Sequence, residues 1–533
     1  MKVKGIPFKN TGYFSDLICD YLNGKEALSP FYNRQPTLAQ FKEQIKEKNS
    51  FSQNNRDVLH DALIGQYANT QTSADTATNI SLLKAPSTFT VVTGHQLNLF
   101  TGPLYFLYKI ISTINLAKEL KRDNPEYNFV PIYWMATEDH DFEEINYFNF
   151  RGKKLQWNKK SSGAVGVLET DGLEAILEAF SNEIGNSHHA NKLKEMFQKA
   201  YLEHNTLTDA TRFLANELFG EYGLVILDGD DRALKQLMVP YIKKDLLAKT
   251  SFENVKTTIE KLQALPENYG IQVNPREINY FYIKDGLRER IIEQSGRFYV
   301  NDTKIEFSQD EILTELNNHP ERFSPNVICR PLFQEVILPN LCYIGGGGEL
   351  AYWLELKEAF SAMEVPFPIL LLRNSALVIT EKQFGKLERM GISLTDIFLK
   401  QSSFINKKIR EISNIDIDFT PQKNLLKEQF TGMYELAAQT DPSFTGAVKA
   451  QEIKQLKGLE HLEKRLLKAQ KRKLEDQVKR MTALQNELFP NKSLQERNLN
   501  FSELYLEYGQ ELIPVLMNAL QPLSGEFSIV IMD

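Results

Sequence analysis

The chain has 533 residues, 42% hydrophobic and 25% charged, with a formal net charge of −7. That length exceeds what one hydrophobic core supports, and the balance of apolar and charged residues excludes extended disorder. The mild acidity argues against general nucleic-acid binding, which rests on Lys and Arg neutralising phosphates, and no apolar run reaches the roughly 18 residues of a membrane span.

In chain order, residues 1–85 read as helical segments separated by turns, with the polar stretch 61–83 as loop. A β-branched run at 88–93 ends at Gly94. After Gly102 and Pro103, residues 104–120 carry apolar side chains at helical spacing. Residues 129–135, 224–227 and 369–372 are further continuous apolar runs. Strands apolar on both faces, alternating with helices, predict parallel βαβ units, and the four runs together predict one doubly wound α/β sheet. Ligands of such sheets lie beyond the carboxyl ends of the strands. That rule places TGHQ (93–96), ATEDHD (136–141), DGDD (228–231) and RNS (373–375) on one rim.

The wide spacing of these strands predicts insertions. The expected division is 1–146 for the first part of the core, 147–220 for a first insertion and 221–238 for a core strand. A second insertion, 239–325, holds a small β meander at 280–284, 297–300 and 304–307, with Asn301 and Asp302 as a turn. Residues 326–380 complete the core, 381–490 form an α-helical domain, and 491–533 return to the core and end on a strand. In the helical part Leu456, Leu459, Leu462 and Leu466, then Leu474, Val478, Met481, Leu484 and Leu488, keep a coiled-coil-like seam. The break at 441–446, with Pro442 suited to a helix start, predicts an antiparallel hairpin that serves as a dimerisation arm.

Several stretches carry candidate chemistry. TGHQLNLFTGP (93–103) joins a strand to a helix. Gly94 and Gly102 allow close backbone approach, the helix start favours an anion, and His95 can act as acid, base or phosphate donor. It matches neither GxGxxG nor a P-loop, and an ordinary turn fits equally well. Glu138, Asp139, His140, Asp141, Glu143 and Glu144 crowd together directly after a buried strand, which suits holding and deprotonating an amine, or a divalent metal. No second histidine stands at ligand spacing, so no tightly bound metal is expected. In YIGGGGELAYW (343–353) the glycines can wrap a substrate or phosphate, with Glu349 at the helix start and Tyr352 as a stacking surface or as core. Arg330 and the Arg373, Asn374, Ser375 trio each present a cation after apolar residues, as an anion clamp requires. The three cysteines, Cys19, Cys329 and Cys342, are too few for a disulfide framework and fit inert thiols in a reducing compartment. The N-terminal sequence lacks the apolar core of a signal peptide, so a cytoplasmic location is expected.

TGHQLNLFTGPLYFLYKI, VPIYWMATEDHDFEEIN, RPLFQEVILPNLCYIGGGGELAYW, PILLLRNSA and LQERNLN, in this order and across nearly the whole chain, resemble the bacillithiol biosynthesis cysteine-adding enzyme (BshC) family. The resemblance implies a Rossmann-like core with two connecting-peptide insertions and a coiled-coil domain that mediates homodimerisation. It implies addition of L-cysteine to glucosaminyl malate, the last step of bacillithiol synthesis. The family core is similar to class I aminoacyl-tRNA synthetases, which implies carboxyl activation by ATP with Mg2+. TGHQ would then stand at the HIGH signature and RNS near the KMSKS loop. Two positions depart from the family pattern: His95 replaces a Gln and Gly347 replaces a Pro.

On this reading Thr93, Gly94, His95, Gln96, Gly102, Glu138, Arg330, Glu349 and Tyr352 line the substrate site. Asp139, His140 and Asp141 do the chemistry, and Arg373, Asn374 and Ser375 meet the nucleotide. Two other readings stay open. One is a metal-dependent hydrolase or amide transferase using the acidic cluster; the other is a non-catalytic nucleotide-binding assembly module.

Overall fold

The computed structural model describes residues 1–533. The chain forms two compact units, one of Met1–Lys9, Tyr13–Val378 and Ser493–Val530, the other of Asn10–Gly12, Ile379–Lys492 and Ile531–Asp533. No helix is long and apolar enough to cross a membrane.

The first unit is built on a five-stranded parallel sheet. Its strands are, in chain order, Thr88–His95, Asn128–Met135, Val225–Asp228, Asn340–Gly345 and Ile369–Leu372. In space the first strand lies between the second and the fourth, with the third and fifth at the edges. This is the doubly wound order, and its topological switch point falls between the first and fourth strands. Every residue of the first strand is buried, which explains the uninterrupted β-branched run. Phe89, Val91, Leu341, Ile344, Ile369 and Leu371 from the sheet pack with Leu116 and Leu120 of the helix Tyr105–Asp123 and with Phe41 and Ile45 of Leu38–Lys48. Register pairs His95 with Met135 and Met135 with Asp228, so the strand ends that carry TGHQ, ATEDHD and DGDD share one rim.

Two parts of the core differ from the sequence expectation. The fourth strand, Asn340–Gly345, is absent from the four apolar runs; its last residue opens the glycine run, which reads as loop. The stretch 61–83 is mostly helical, within Gln53–Gln66 and Ala74–Leu82. Ser73 caps the second of these helices by accepting the Thr76 amide at 3.0 Å. Buried Leu63, Ile80 and Leu83 supply an apolar face that the polar composition hides.

Between the second and third core strands lie a hairpin, Tyr147–Phe150 with Lys153–Gln156, and helices Glu174–Ile184, His188–Leu202 and Leu207–Phe219. Between the third and fourth lies an antiparallel five-stranded sheet ordered Glu306–Ser308, Arg297–Val300, Leu287–Gln294, Tyr280–Lys284 and Phe323–Pro325. Leu287–Gln294 is an additional strand that its charged sequence, LRERIIEQ, conceals. Asp302, at φ 56°, makes the turn expected there.

The second unit is helical. Helices Thr420–Ala437 and Pro442–Lys473 form a hairpin, and Asp441 caps the second by accepting the Ser443 amide at 2.8 Å. That helix ends at Lys473 because Leu474 leaves the helical conformation, giving an arm of about 48 Å at 1.5 Å per residue.

Within the first unit, one buried ion pair fastens the helix Arg330–Ile337 to the helix Leu38–Lys48. Lys48 Nζ lies 2.9 Å from Glu335 Oε2, both side chains no more than 2% exposed. Glu335 Oε1 also accepts Asn340 Nδ2 at 2.6 Å. Replacing one member strands a buried charge, so Lys48→Met should lower unfolding free energy by about 3–5 kcal/mol. Lys48→Met with Glu335→Gln should recover at least half of that loss in urea titration.

Candidate active site

The site forms where the first and fourth strands diverge. Lys109, on the helix after the first strand, is buried beneath this crevice. Its Nζ donates to the Gly94 carbonyl at 2.6 Å and lies 2.7 Å from Glu349 Oε2. Glu349 also accepts the Tyr343 hydroxyl at 2.8 Å and the Gly346 amide at 2.7 Å. Burial opposes ionisation of Glu349, but Lys109 and these donors outweigh it and hold its carboxyl below its ordinary range. Burial lowers the Lys109 pKa, against the pull of Glu349.

Two arginines complete the crevice. A Cβ placed on Gly94 would stand 3.9 Å from Arg330 Nη1, and one on Gly346 would stand 3.7 Å from Arg373 Nε. The Arg330 guanidinium lies 5.7 Å from the Trp134 ring centroid and 5.6 Å from that of Tyr343, with the Tyr352 hydroxyl alongside. Arg330 Nη2 and Arg373 Nε are buried without a hydrogen-bond partner. A buried donor left unpaired is costly, so an acceptor placed at either would be stabilised there.

His95 sits against Tyr105 and Phe106, with ring centroids at 5.5 and 5.1 Å. Burial, then the charge of Lys109, push its pKa down to about 3. The imidazole is therefore neutral. Its bond to the Thr101 backbone raises the pKa, as a carbonyl acceptor does, while Nε2 is buried and unpartnered. Nε2 is thus an acceptor, suited to a ligand hydroxyl or amine. A neutral imidazole brings no positive charge to the anion expected beside it.

The acidic cluster occupies the neighbouring strand ends. Gln96 Nε2 donates to Asp139 Oδ2 at 2.9 Å and Glu144 Oε2 at 3.0 Å, which ties TGHQ to ATEDHD. The facing ligand atoms of Asp139, His140 and Asp141 all lie within 4.8 Å of one another. Glu138 is turned inward. Lys235 Nζ stands 2.6 Å from both Glu138 and Asp230, and burial together with Asp230 raises the Glu138 pKa. Thr137 donates to Asp228.

Both insertions reach this end of the rim. Val165 N donates to Asp139 O at 2.7 Å and Gly166 N to Thr137 O at 2.8 Å. From the additional strand, Arg288 stacks on Phe281 at 3.9 Å and donates to His140 Nδ1 at 2.6 Å.

The remaining expected residues are committed to the fold. Thr93 donates to Ile344 O at 2.8 Å. Gly102, at φ 63°, packs so tightly that a Cβ would come within 2.6 Å of Asn98 Cβ, and its carbonyl accepts Asn500 Nδ2. It makes a turn rather than a ligand surface. Asn374 spends its amide on Ser112 Oγ and the Gln521 carbonyl, and Ser375 Oγ bonds to Arg373 and Glu496. Of that trio only Arg373 has a buried side-chain nitrogen with no partner.

Lys109, Tyr343, Lys235, Arg288 and Glu496 were not among the expected site residues. Lys109 had a sequence signal, a single cation inside the apolar run LYFLYKI. Arg288 had none, because its strand is concealed.

Residues 1–374 match the family model described as bacillithiol biosynthesis BshC, N-terminal Rossmann-like domain, and residues 376–532 match its C-terminal coiled-coil domain. A Flavobacterium johnsoniae protein named "Putative cysteine ligase BshC" is 60% identical, with 98% of this chain and 99% of that protein aligned. Proteins of the same name from Cytophaga hutchinsonii and Bacillus cereus are 38% and 28% identical, with 98% and 99% of this chain aligned and 97% and 100% of theirs. A solved structure titled as an arginyl-tRNA synthetase from Campylobacter jejuni covers 85% of this chain and all of its own, at 10% identity and a TM-score of 0.21, too low to support a common fold.

The depressed His95 pKa has a stability consequence. A folded-state value of about 3 against about 6.5 unfolded gives a contribution fully present above pH 6.5 that is lost as pH falls toward 3. Between pH 6.5 and 5 the wild type should lose about 2 kcal/mol more than His95→Gln, measured by urea unfolding at each pH.

Proposed function

The chain belongs to the BshC family of bacillithiol biosynthesis, and from that premise we propose that it is a ligase joining the carboxyl of L-cysteine to the amine of glucosaminyl malate. One observation supports this above others: the charge along the rim changes sign. Lys109, Arg330 and Arg373 line the switch-point crevice, while Glu138, Asp139, Asp141 and Glu144 gather at the adjoining strand ends. Glucosaminyl malate has the same polarity, two carboxylates at one end and an amine at the other.

In this reading the malate carboxylates accept from Arg330 Nη2 and Arg373 Nε, and neutral His95 Nε2 accepts a sugar hydroxyl. Asp139 and Asp141 hold the ammonium, and one group of the Asp139, His140, Asp141 trio takes the proton it must lose before it attacks. An amide does not form from a free carboxylate in water, so the cysteine carboxyl needs activation. We assign that to ATP with Mg2+, forming a cysteinyl adenylate and releasing pyrophosphate; the amine then displaces AMP. The unpaired arginine donors suit a phosphate as well as a carboxylate. A metal-dependent hydrolase would use the same trio, but the Arg288 guanidinium already on His140 Nδ1 weighs against a cation there.

The hairpin carries an apolar surface that suits a second copy of the chain. Leu425 and Leu436 are 59% and 63% exposed, and Phe444, Ile453 and Leu462 are also exposed. Association through this arm explains such side chains better than solvent does.

Cysteine, glucosaminyl malate and Mg-ATP incubated with the protein should yield the condensed thiol, AMP and pyrophosphate by mass spectrometry. Product formed without ATP would rule out the adenylate, and no product with both substrates bound would rule out the ligase. Asp139→Asn should keep the wild-type melting temperature and lose at least ~100-fold in turnover; full activity would misplace the amine end. Leu425→Lys with Leu436→Lys should convert a dimer to a monomer in sedimentation, and an unchanged mass would exclude this face.

A further inference from the structure

The stretch LQERNLN, residues 494–500, lies far from the glycine loops in sequence, yet Gln495, Glu496 and Asn500 bond to segments of the core around it. Gln495 pairs with both backbone groups of Val378 at 2.9 Å. Asn500 Nδ2 donates to the Phe100 and Gly102 carbonyls at 2.7 Å each, and Leu499 O accepts the Leu104 amide at 2.7 Å. Glu496, wholly buried, accepts Arg373 Nη2 at 2.7 Å, the Ala376 amide at 3.0 Å and Ser375 Oγ at 3.2 Å.

The guanidinium of Arg373 is consequently fixed on three sides. Nη2 is held by Glu496, Nη1 donates to Asn374 O at 2.9 Å and Ser375 Oγ at 3.0 Å, and the guanidinium carbon lies 4.9 Å from the Tyr105 ring centroid. Nε, beside Gly346, is the donor left over. Glu349 is the other carboxylate near Arg373. A guanidinium released from Glu496 would turn toward it and compete with Lys109, removing positive charge from the crevice.

We propose that Glu496 is a positioning residue: it aims Arg373 Nε at the anionic end of the substrate and keeps that cation from Glu349. The proposal rests on the substrate reading given above. If Glu496 only fastened the turn, its loss would lower stability without discriminating between the two substrates.

The test measures L-malate and inorganic phosphate binding by calorimetry, ligase kinetics and melting temperature. The variants are Glu496→Asp, Glu496→Gln, Arg373→Gln and the double Arg373→Gln, Glu496→Gln. Both Glu496 variants should weaken anion binding about tenfold and raise KM for glucosaminyl malate similarly, as expected for loss of an oriented charge-assisted bond. KM for cysteine should stay within about twofold. In the Arg373→Gln background, Glu496→Gln should add nothing to the loss of anion affinity. Glu496→Asp keeps the charge and shortens the reach, so it carries the test if Glu496→Gln fails to fold. A lower melting temperature with unchanged anion affinity, a rise of both KM values together, or effects that multiply in the double variant would overturn the proposal. Phosphate binding that depends on Glu496, without malate binding, would uphold the positioning role and reject the substrate. A wild type that binds neither anion would reject both.

Discussion

Lys109 joins the two strand ends between which the crevice opens. Its ammonium holds the Gly94 carbonyl at the end of the first strand and the Glu349 carboxylate at the start of the helix after the fourth. Two ions taken out of water cost several kcal/mol each unless their remaining hydrogen-bonding capacity is met. Here it is met, because Tyr343 and the Gly346 amide fill the other acceptor positions of Glu349. The pair sets the electrostatics around it. Glu349, held by Lys109, also favours the charged form of Arg330, and the lysine charge helps keep His95 uncharged.

The two ends of the rim are built differently. The cationic end rests on core elements: the helix after the first strand, the helix before the fourth and the turn after the fifth. The acidic end is finished by inserted segments, through Val165 and Gly166 on one side and Arg288 on the other. Gly163 and Gly286, one from each insertion, approach so closely that a Cβ on the first would stand 3.2 Å from the backbone of the second. A scaffold that fixes one end and loops that shape the other is a common division of labour in α/β enzymes.

Much of the core was legible in the sequence because its signals are periodic. TFTVVT, FVPIYWM and ILLL are apolar on both faces, and the βαβ rule follows from them. The hairpin was legible from the break at Pro442, but its leucine seam was not: the two helices pack through Phe430, Ala437 and Val448, while Leu462 is exposed and Leu474 ends the second helix. The fourth strand was not, since Asn340–Gly345 runs into glycines that suggest loop. Polar stretches also misled: residues 61–83 are helical because buried Leu63, Ile80 and Leu83 and the Ser73 cap outweigh composition. At the site, local sequence shows which residue types crowd together but not which are already engaged. Asn374 and Ser375 resemble ligand groups until their partners Ser112, Gln521 and Glu496 come into view. Lys235 and Arg288 meet Glu138 and His140 only through the tertiary fold.

The spacing of Arg373 and Glu496 along the chain bears on biosynthesis. The two are 123 residues apart, with the entire helical hairpin encoded between them. At ~5–20 residues per second a ribosome would need roughly 6–25 s after making Arg373 to deliver its carboxylate. During that interval the nascent core holds a guanidinium whose counter-ion has not been synthesised. The cation end of the rim is therefore completed only after the whole hairpin between the two residues has been synthesised.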